Sequence, residues 1–231
     1  MISVIIPTYN EADVIEQTIA ETQKAAASGC SVEIIVVDGG SSDETTIIAE
    51  RAGGLVLNSS KGRAVQMNFG ATAAKGDILY FLHADSLPPA NFTQQILNAV
   101  ESGAVSGCFR LSFDHKHWFL KISSWFTRFD SNAVRFGDQS LFILKQAFLR
   151  SGGFREDLLI MEDQEIVHRL KKEGRFIIMK DYITTSARKY VDNGIFRMQG
   201  IFFLIWSLYF LGWSQASLLK LYRKLILKHK L

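Results

Sequence analysis

The sequence contains little that would mark a secreted, nucleic-acid-binding or membrane-spanning protein. Cysteine is rare: the 231 residues include only Cys30 and Cys108, whose wide separation predicts no disulfide framework and a reducing compartment. The formal net charge of +3 is too small to indicate a nucleic-acid partner. No basic leader or cleavage site precedes the first predicted strand, so we expect no signal peptide.

Familiar nucleotide and metal signatures are also missing. The chain has neither the Gly-x4-Gly-Lys-Ser/Thr spacing of a P-loop nor a Gly-x-Gly-x-x-Gly stretch, which disfavours an ATPase or a dinucleotide-binding protein. Its cysteines and histidines lack the spacing of a zinc site. With 48% apolar and 21% charged residues and no internal repeat, the composition predicts one globular domain with a sizeable core.

The first part of the chain alternates predicted strands with predicted helices. The strands are expected at residues 3–6, 32–37, 55–57 and 78–82. This alternation indicates an α/β protein with a mostly parallel, doubly wound sheet flanked by helices. Beyond residue 85 the pattern changes, and we predict helices at residues 91–102 and 162–173 and strands at residues 104–113, 141–144 and 176–179.

The strand at residues 78–82 is the centre of the functional prediction, because it is wholly apolar and leads into His83 and Asp85. Ligands of open α/β sheets bind beyond the carboxyl ends of the strands. An aspartate at that position can hold a hard cation, and the cation can hold a diphosphate. His83 alone is more often structural, but next to Asp85 it becomes a candidate ligand or phosphate contact.

Polar residues follow the other strands as well. Asp38 comes after the second strand and is either an acceptor for a base or ribose or a turn residue. Thr8, Tyr9 and Glu11 come after the first strand, where they either meet a base or form a surface turn. Arg63, together with Lys61 in a small loop at the start of a helix, is a candidate diphosphate contact.

Two further polar segments lie in the second half of the chain. Glu162 and Asp163 open a predicted helix, where acidic residues either complement the helix dipole or supply a general base for an acceptor hydroxyl. Gly137, Asp138 and Gln139 form either a polar turn or a contact on the acceptor side.

Taken together, these segments resemble the family 2 glycosyltransferases, which have the glycosyltransferase-A fold. The matching segments are SVIIPTYNE at residues 3–11, VVDGGSSDET at residues 36–45, KGRA at residues 61–64, the strand that leads to Asp85, and Glu162-Asp163. The chain is most similar to a small subgroup with Leu-His-Ala-Asp at residues 82–85, Phe-Gly-Asp-Gln at residues 136–139 and Ser-Ala-Arg at residues 186–188.

The resemblance implies a role for each matching residue. Those implied to contact the nucleotide-sugar are Pro7, Thr8, Tyr9, Glu11, Asp38, Arg63, Ala64, His83 and Asp85. Asp85 is also the implied ligand of a divalent cation, Mn²⁺ or Mg²⁺, and Asp163 the implied base, with Glu162 beside it. The implied donor is a UDP- or GDP-linked sugar, and the implied transfer inverts the anomeric carbon.

The chain departs from the family pattern in two places and lacks a third motif. Gly39 replaces the second aspartate of the usual Asp-Asp pair, and His83 replaces the first aspartate of Asp-x-Asp, which leaves the metal site one carboxylate short. The Gln-x-x-Arg-Trp motif of processive members is absent, and Ser-Ala-Arg-Lys-Tyr at residues 186–190 is its nearest counterpart. We therefore expect a single transfer.

The C-terminal segment differs from the rest of the chain. Residues 201–211 carry no charge but are too few to cross a bilayer, and residues 218–226 combine an apolar stripe with lysine and arginine on the opposite helix face. We predict a catalytic domain at residues 1–192, with a nucleotide-binding half at residues 1–85 and an acceptor half at residues 86–192. Residues 193–231 form a helical tail that associates with a membrane. A buried core helix is the alternative.

These features predict an inverting, non-processive glycosyltransferase. We expect it to be cytoplasmic, peripherally attached to the inner face of a membrane, and to transfer sugar to a hydroxyl of a lipid-linked or hydrophobic acceptor. The two departures leave open a catalytically degenerate transferase that acts as a membrane-bound binding partner. A sugar-phosphate nucleotidyltransferase is less favoured, because residues 7–11 lack the glycine-rich, basic signature it would need.

Overall fold

The computed structural model describes residues 1–131 and 137–228. Phe136, the first residue of the Phe-Gly-Asp-Gln segment, lies outside the described residues, as does Lys230 of the basic tail. All other residues predicted for the site fall within them.

The described residues form an eight-stranded sheet. Its strands are β1 (Ile2–Thr8), β2 (Val32–Asp38), β3 (Leu55–Asn58), β4 (Ile78–Phe81), β5 (Ser86–Leu87), β6 (Ala104–Phe113), β7 (Leu141–Leu144) and β8 (Arg175–Thr185). The spatial order is β3-β2-β1-β4-β7-β6-β8-β5. The pairs among the first four strands are parallel, whereas β7 pairs antiparallel with both β4 and β6. The predicted mostly parallel α/β sheet is confirmed.

Helices pack on both faces of the sheet, and further helices follow its last strand. They are α1 (Ile15–Ala25), α2 (Thr45–Arg51), α3 (Arg63–Ala73), α4 (Phe92–Glu101), α5 (Trp118–Trp125), α6 (Lys145–Arg150), α7 (Glu162–Glu173), α8 (Arg188–Asn193), α9 (Ile195–Phe210) and α10 (Gln215–Leu225). The helix predicted at residues 162–173 is confirmed as α7. The strand predicted at residues 176–179 is longer, because β8 runs on to pair with β6 and β5.

The hydrophobic core lies on both faces of the sheet, because side chains of a strand alternate between its faces. In β1, Val4 and Ile6 pack with α1 and α4 on one face, whereas Ile5 packs with α3 on the other. The first strand was predicted at residues 3–6, but β1 continues through Pro7 to Thr8. The missing N–H of Pro7 is tolerated because β4 pairs with β1 only as far as Ile5.

The C-terminal helices have a core of their own. Leu218, Tyr222 and Ile226 of the predicted apolar stripe are all at most 3% exposed, and they pack with Ile201 and Ile205 of α9. This stripe therefore faces the protein, and α10 does not offer it to a membrane. Among the described residues, no helix is both long enough and apolar enough to cross a bilayer.

Candidate active site

Three parallel strands end at one edge of the sheet and bring the predicted nucleotide contacts together. Thr8 at the end of β1 is in register with Asp38 at the end of β2. The backbone of residue 82, just after β4, is still bonded to β1, since the amide of Leu82 donates to the carbonyl of Ile5 at 3.0 Å. His83 and Asp85 therefore follow at the same edge.

Asp38 is buried, and its carboxylate is already used by the turn that follows it. The amides of Gly40 and Ser41 donate to Oδ2 at 2.9 and 2.7 Å, and the Ser41 hydroxyl donates to Oδ1. The turn interpretation of Asp38 thus has direct support. Gly39 stands where the family pattern has a second aspartate. A side-chain carbon at Gly39 would lie 3.1 Å from the Gln66 amide, so Gln66 occupies the space beside this position.

Tyr9 and Glu11 reach the same edge from the loop after β1. Tyr9 is 39% exposed, and Lys61 Nζ lies 3.5 Å above its ring centroid. Glu11 accepts a hydrogen bond from Arg188 Nη2 at 3.0 Å, which links the first loop to the start of α8. Burial raises the pKa of Glu11, and the Arg188 charge opposes that rise.

His83 contacts the acidic segment of the second half. Its Nδ1 lies 2.9 Å from Asp138 Oδ1. Burial raises the pKa of Asp138, but the bond to His83 and the charges of His83 and Arg63 lower it by more than burial raises it. The pKa of Asp138 is therefore below its usual value. Burial and the Asp138 charge raise the pKa of Asp85. Asp85 and Asp138 are therefore electrostatic neighbours.

Asp163 lies directly against Gly137, the residue before Asp138. A side-chain carbon at Gly137 would come within 2.6 Å of Asp163 Cγ, so only glycine leaves room for this carboxylate. Asp163 Oδ1 is buried and has no hydrogen-bond partner among the residues described. A buried carboxylate oxygen without a partner can accept a proton or a hydrogen bond from a bound molecule.

Glu162 occupies a different environment from its neighbour. It is 3% exposed, and its Oε1 lies 3.3 Å from Arg63 Nη1 at the start of α3. Burial and the adjacent Asp163 charge raise the pKa of Glu162. Glu162 thus joins α7 to α3 and positions Arg63, while Asp163 is the member of the pair that faces Gly137.

Two residues predicted to contact the substrates have buried side chains, and their contacts stay predictions. Gln139 is fully buried, and its Nε2 donates to the carbonyl of Phe109 at 3.1 Å, so the side chain holds the loop to β6. Ala64 is 3% exposed and its methyl group packs in the core beneath α3. A polar or small residue in a matching motif does not by itself reveal which way it points.

Sequence reasoning missed three side chains at this edge. Arg188 and Lys189 lie in the segment noted only as a counterpart of a processivity motif, and Tyr222 lies in the stripe assigned to a membrane. Lys189 Nζ donates to the Tyr222 hydroxyl at 3.3 Å. The position of Arg188 and Lys189 after the last strand was the available signal; the sequence held none for Tyr222.

Comparison with known proteins identifies the family and the fold. Residues 3–156, about two thirds of the chain, match the family described as Glycosyl transferase family 2. This chain belongs to that family.

The fold is similar to that of a mannosyltransferase from Pyrobaculum calidifontis, PcManGT, solved with GDP-Man and Mn²⁺. The TM-score is 0.68 at 20% identity, and the match covers 88% of this chain and 61% of PcManGT. TarS from S. aureus, solved with UDP, gives a TM-score of 0.67 at 16% identity over 97% of this chain and 70% of TarS. The expected glycosyltransferase-A fold is confirmed.

Curated relatives share only part of their length with this chain. An undecaprenyl-phosphate 4-deoxy-4-formamido-L-arabinose transferase of Edwardsiella ictaluri is 34% identical over 111 residues, which is 44% of this chain and 34% of the relative. The protein of the same name from Proteus mirabilis is 31% identical over 133 residues, 53% of this chain and 40% of the relative. This chain thus spans about a third to two fifths of the relatives it matches.

The carboxylates at this edge can hold a hard divalent cation only if a bound molecule or water supplies further coordinating oxygens. Asp85 and Asp138 offer carboxylate oxygens, the ligand type that Mg²⁺ and Mn²⁺ prefer, and a cation would relieve the repulsion that raises the pKa of Asp85. In the described part of the chain, no group of three or more His, Cys, Asp or Glu side chains is placed to hold a metal. The remaining ligands would therefore come from a diphosphate or water.

Proposed function

We propose that this protein is an inverting, non-processive glycosyltransferase that moves one sugar from a UDP- or GDP-linked donor to the hydroxyl of a lipid-linked or hydrophobic acceptor. The observation that carries the proposal is Asp163, whose buried Oδ1 has no partner among the described residues and whose carboxylate lies against Gly137, beside Asp138. The match to the glycosyltransferase family supports sugar transfer as the reaction. The edge at which β1, β2 and β4 end supports the proposed location of the nucleotide-sugar site.

In the proposed reaction the protein takes part in one proton transfer, from the acceptor hydroxyl to Asp163. Asp163 accepts the proton of the acceptor hydroxyl as its oxygen forms a bond to the anomeric carbon, while the bond from that carbon to the diphosphate breaks. Attack opposite the leaving group inverts the configuration. Arg63 and Arg188, held by Glu162 and Glu11, are placed to attract the negative charge of the departing diphosphate.

A bound divalent cation would neutralise the diphosphate, with Asp85 as its ligand and Asp138 as a second carboxylate nearby. Both PcManGT with Mn²⁺ and the glucosyl-3-phosphoglycerate synthase of Mycobacterium tuberculosis with Mg²⁺ share the fold. We expect Asp85→Ala to abolish the Mn²⁺-dependent thermal stabilisation by UDP or GDP, and His83→Ala to weaken it less. Equal stabilisation of parent and Asp85→Ala would contradict this assignment.

The acceptor is proposed to be lipid-linked, because the relatives are named as undecaprenyl-phosphate transferases. This chain carries a surface that suits such a substrate, which we call the exposed aromatic surface. It consists of Trp118, Trp125, Phe126, Phe129, Phe196, Phe203 and Phe210, each 44% to 66% exposed. Such a large apolar surface indicates contact with a membrane or hydrophobic ligand.

The exposed aromatic surface extends over two helices that meet at Trp118 and Phe196. Trp118 and Trp125 are seven residues apart on α5, and Phe196, Phe203 and Phe210 have the same spacing on α9, so each set lies along one helix face. The rings of Trp118 and Phe196 join the two sets with centroids 6.0 Å apart. We therefore propose peripheral attachment to the cytoplasmic face of a membrane through this surface.

The central experiment separates the base from donor binding. Asp163→Asn keeps the shape of the side chain and removes the proton acceptor, so transfer should fall by about 10² to 10⁴-fold while nucleotide affinity is nearly unchanged. Glu165→Gln on the same helix is the control and should transfer at the parental rate. A larger loss in Glu162→Gln would show that the wrong acid was chosen, and full activity in Asp163→Asn would refute the mechanism.

A further inference from the structure

A cluster of cationic and phenolic side chains lies near Arg63 and Asp138 and is used by none of the steps above. Lys189 at the start of α8 and Tyr222 in the middle of α10 form its centre. The ammonium donates to the Tyr222 hydroxyl at 3.3 Å and lies 5.8 Å from the centroid of the same ring. Tyr222 is 3% exposed, and Phe202 stacks on it with centroids 6.2 Å apart.

Lys189 differs from the two arginines of the site in its charge balance. Arg63 and Arg188 each have a carboxylate partner within 3.3 Å, namely Glu162 and Glu11. Among the described residues, Lys189 has no carboxylate within salt-bridge distance, and the group it contacts is a neutral phenol. A partly buried ammonium without a directly paired carboxylate is costly, so an anion brought by a ligand would stabilise this arrangement.

The surroundings of Lys189 connect it to the active site. Burial lowers the pKa of Lys189 and the Arg63 charge lowers it further, whereas Asp138, Asp85 and Glu11 act in the opposite direction. All four of these charged groups are residues of the proposed donor and acceptor sites. The ammonium therefore lies within electrostatic reach of the place where the sugar would be transferred.

The two groups can act together on one anion. An ammonium has three N–H donors, of which one is directed to Tyr222. The Tyr222 hydroxyl accepts that bond, so its own proton remains to be donated. A phosphate oxygen is the acceptor that best matches a paired ammonium and hydroxyl donor.

We infer that Lys189 and Tyr222 form a phosphate subsite that binds a phosphate group of a substrate between the C-terminal helices and the edge of the sheet that carries Asp85 and Asp138. The inference deepens the proposed function and rests on it, because the phosphate belongs either to the donor diphosphate or to the linkage of a lipid-linked acceptor. It also gives α10 a role in substrate binding, since this helix supplies one of the two groups.

The C-terminal helices are attached closely enough to position Tyr222. Gln215 Oε1 accepts from the amides of Leu159 and Ile160 at 3.0 and 3.1 Å, just before α7 begins. Trp206 Nε1 donates to Gln164 Oε1 at 3.2 Å, one residue after Asp163. The helices that carry the subsite are therefore bonded to the segment that carries the proposed base.

The test measures binding by calorimetry, with UDP and geranyl phosphate as separate probes and geraniol as the probe without phosphate. Lys189→Met should weaken binding of the relevant phosphate probe by about 10- to 100-fold, because it removes a charged hydrogen bond. Tyr222→Phe should weaken it less, by about 5-fold. Lys224→Met on the exposed face of α10 and Tyr209→Phe on α9 are matched controls and should bind as the parent does.

Each outcome decides the inference. A loss with geranyl phosphate but not UDP assigns the subsite to the acceptor, and the reverse assigns it to the donor. Parental affinity for both probes in both variants, or no binding of either probe by the parent, overturns it. If Lys189→Met does not fold, Tyr222→Phe decides alone. A Lys189-dependent phosphate affinity without any sugar transfer would refute the proposed function and leave the subsite standing.

Discussion

At the scale of single residues, the site depends on a glycine that makes room for a carboxylate. Gly137 has no side chain to contact Asp163, and a methyl group there would lie within 2.6 Å of Asp163 Cγ. Gly137→Ala must therefore displace the proposed base. A displacement of about 1 Å is enough to reduce a rate by about 10²-fold, and we expect a loss of that size in transfer with nucleotide affinity unchanged.

The matched control for this substitution is Gly200→Ala in α9, where an added methyl group meets no atom within 4 Å. It should leave both transfer and nucleotide affinity at the parental level. Parental transfer by Gly137→Ala would mean that Asp163 does not act from the position described here.

A second residue-scale prediction concerns the effect of pH on stability through Glu162. Burial and the Asp163 charge raise the pKa of Glu162 above its ordinary value of 4.5. Above about pH 4.5 the unfolded chain releases this proton before the folded chain does, so the folded protein binds more protons and its stability falls as the pH rises. The loss continues until the pH passes the pKa of the folded state.

Glu162→Gln cannot ionise and should therefore lack this contribution. The free energy of unfolding is measured with urea between pH 5 and pH 8. The difference between the variant and the parent should shift in favour of the variant by up to about 1.4 kcal/mol for each pH unit of increase. Glu173→Gln, which also removes an acid facing an arginine, is the control. Parallel pH profiles for parent and Glu162→Gln would show that Glu162 is ionised throughout.

At the scale of secondary-structure elements, close packing of α3 on the sheet brings Arg63 to the site. Gly70 permits this packing, because an added methyl group would lie 2.5 Å from Ile5 Cγ2 and 2.9 Å from Val37 Cγ2. Gly70→Ala gains up to about 1 kcal/mol of helix propensity but overpacks the core by about 1 to 3 kcal/mol. We expect net destabilisation in urea unfolding, and a more stable Gly70→Ala would contradict the described packing.

The elements were largely predictable, whereas the contacts between them were not. The alternation of apolar runs and helices predicted β1 to β4 and α7, because periodicity is a local property of the chain. Asp163 was predicted to be the base from its place in a motif, but its contact with Gly137 depends on how α7 meets the loop before β7. Tyr222 was assigned to a membrane-facing stripe, because an apolar stripe does not indicate which partner buries it.

At the scale of the whole molecule, the arrangement of surfaces predicts how the protein meets its acceptor. The inward face of α10 is buried against α9, whereas the exposed aromatic surface lies on α5, on Phe126 and Phe129 just after it, and on α9. Lys220, Arg223 and Lys224 are exposed on the opposite face of α10. The molecule thus combines a large exposed aromatic surface with basic groups, as peripheral membrane proteins do on anionic lipid.

Flotation with anionic liposomes tests this prediction on the full chain. Phe203 and Phe210 are 66% and 60% exposed, and burying a phenylalanine side chain in the interface stabilises binding by about 1.5 to 3 kcal/mol. Phe203→Ser combined with Phe210→Ser should therefore reduce liposome binding by at least about 100-fold. Ile47→Ser combined with Leu149→Ser removes two exposed apolar side chains outside this surface and should bind as the parent does. If the parent does not float at low salt, the exposed aromatic surface serves a partner other than the membrane, and the lipid-linked acceptor loses its structural support.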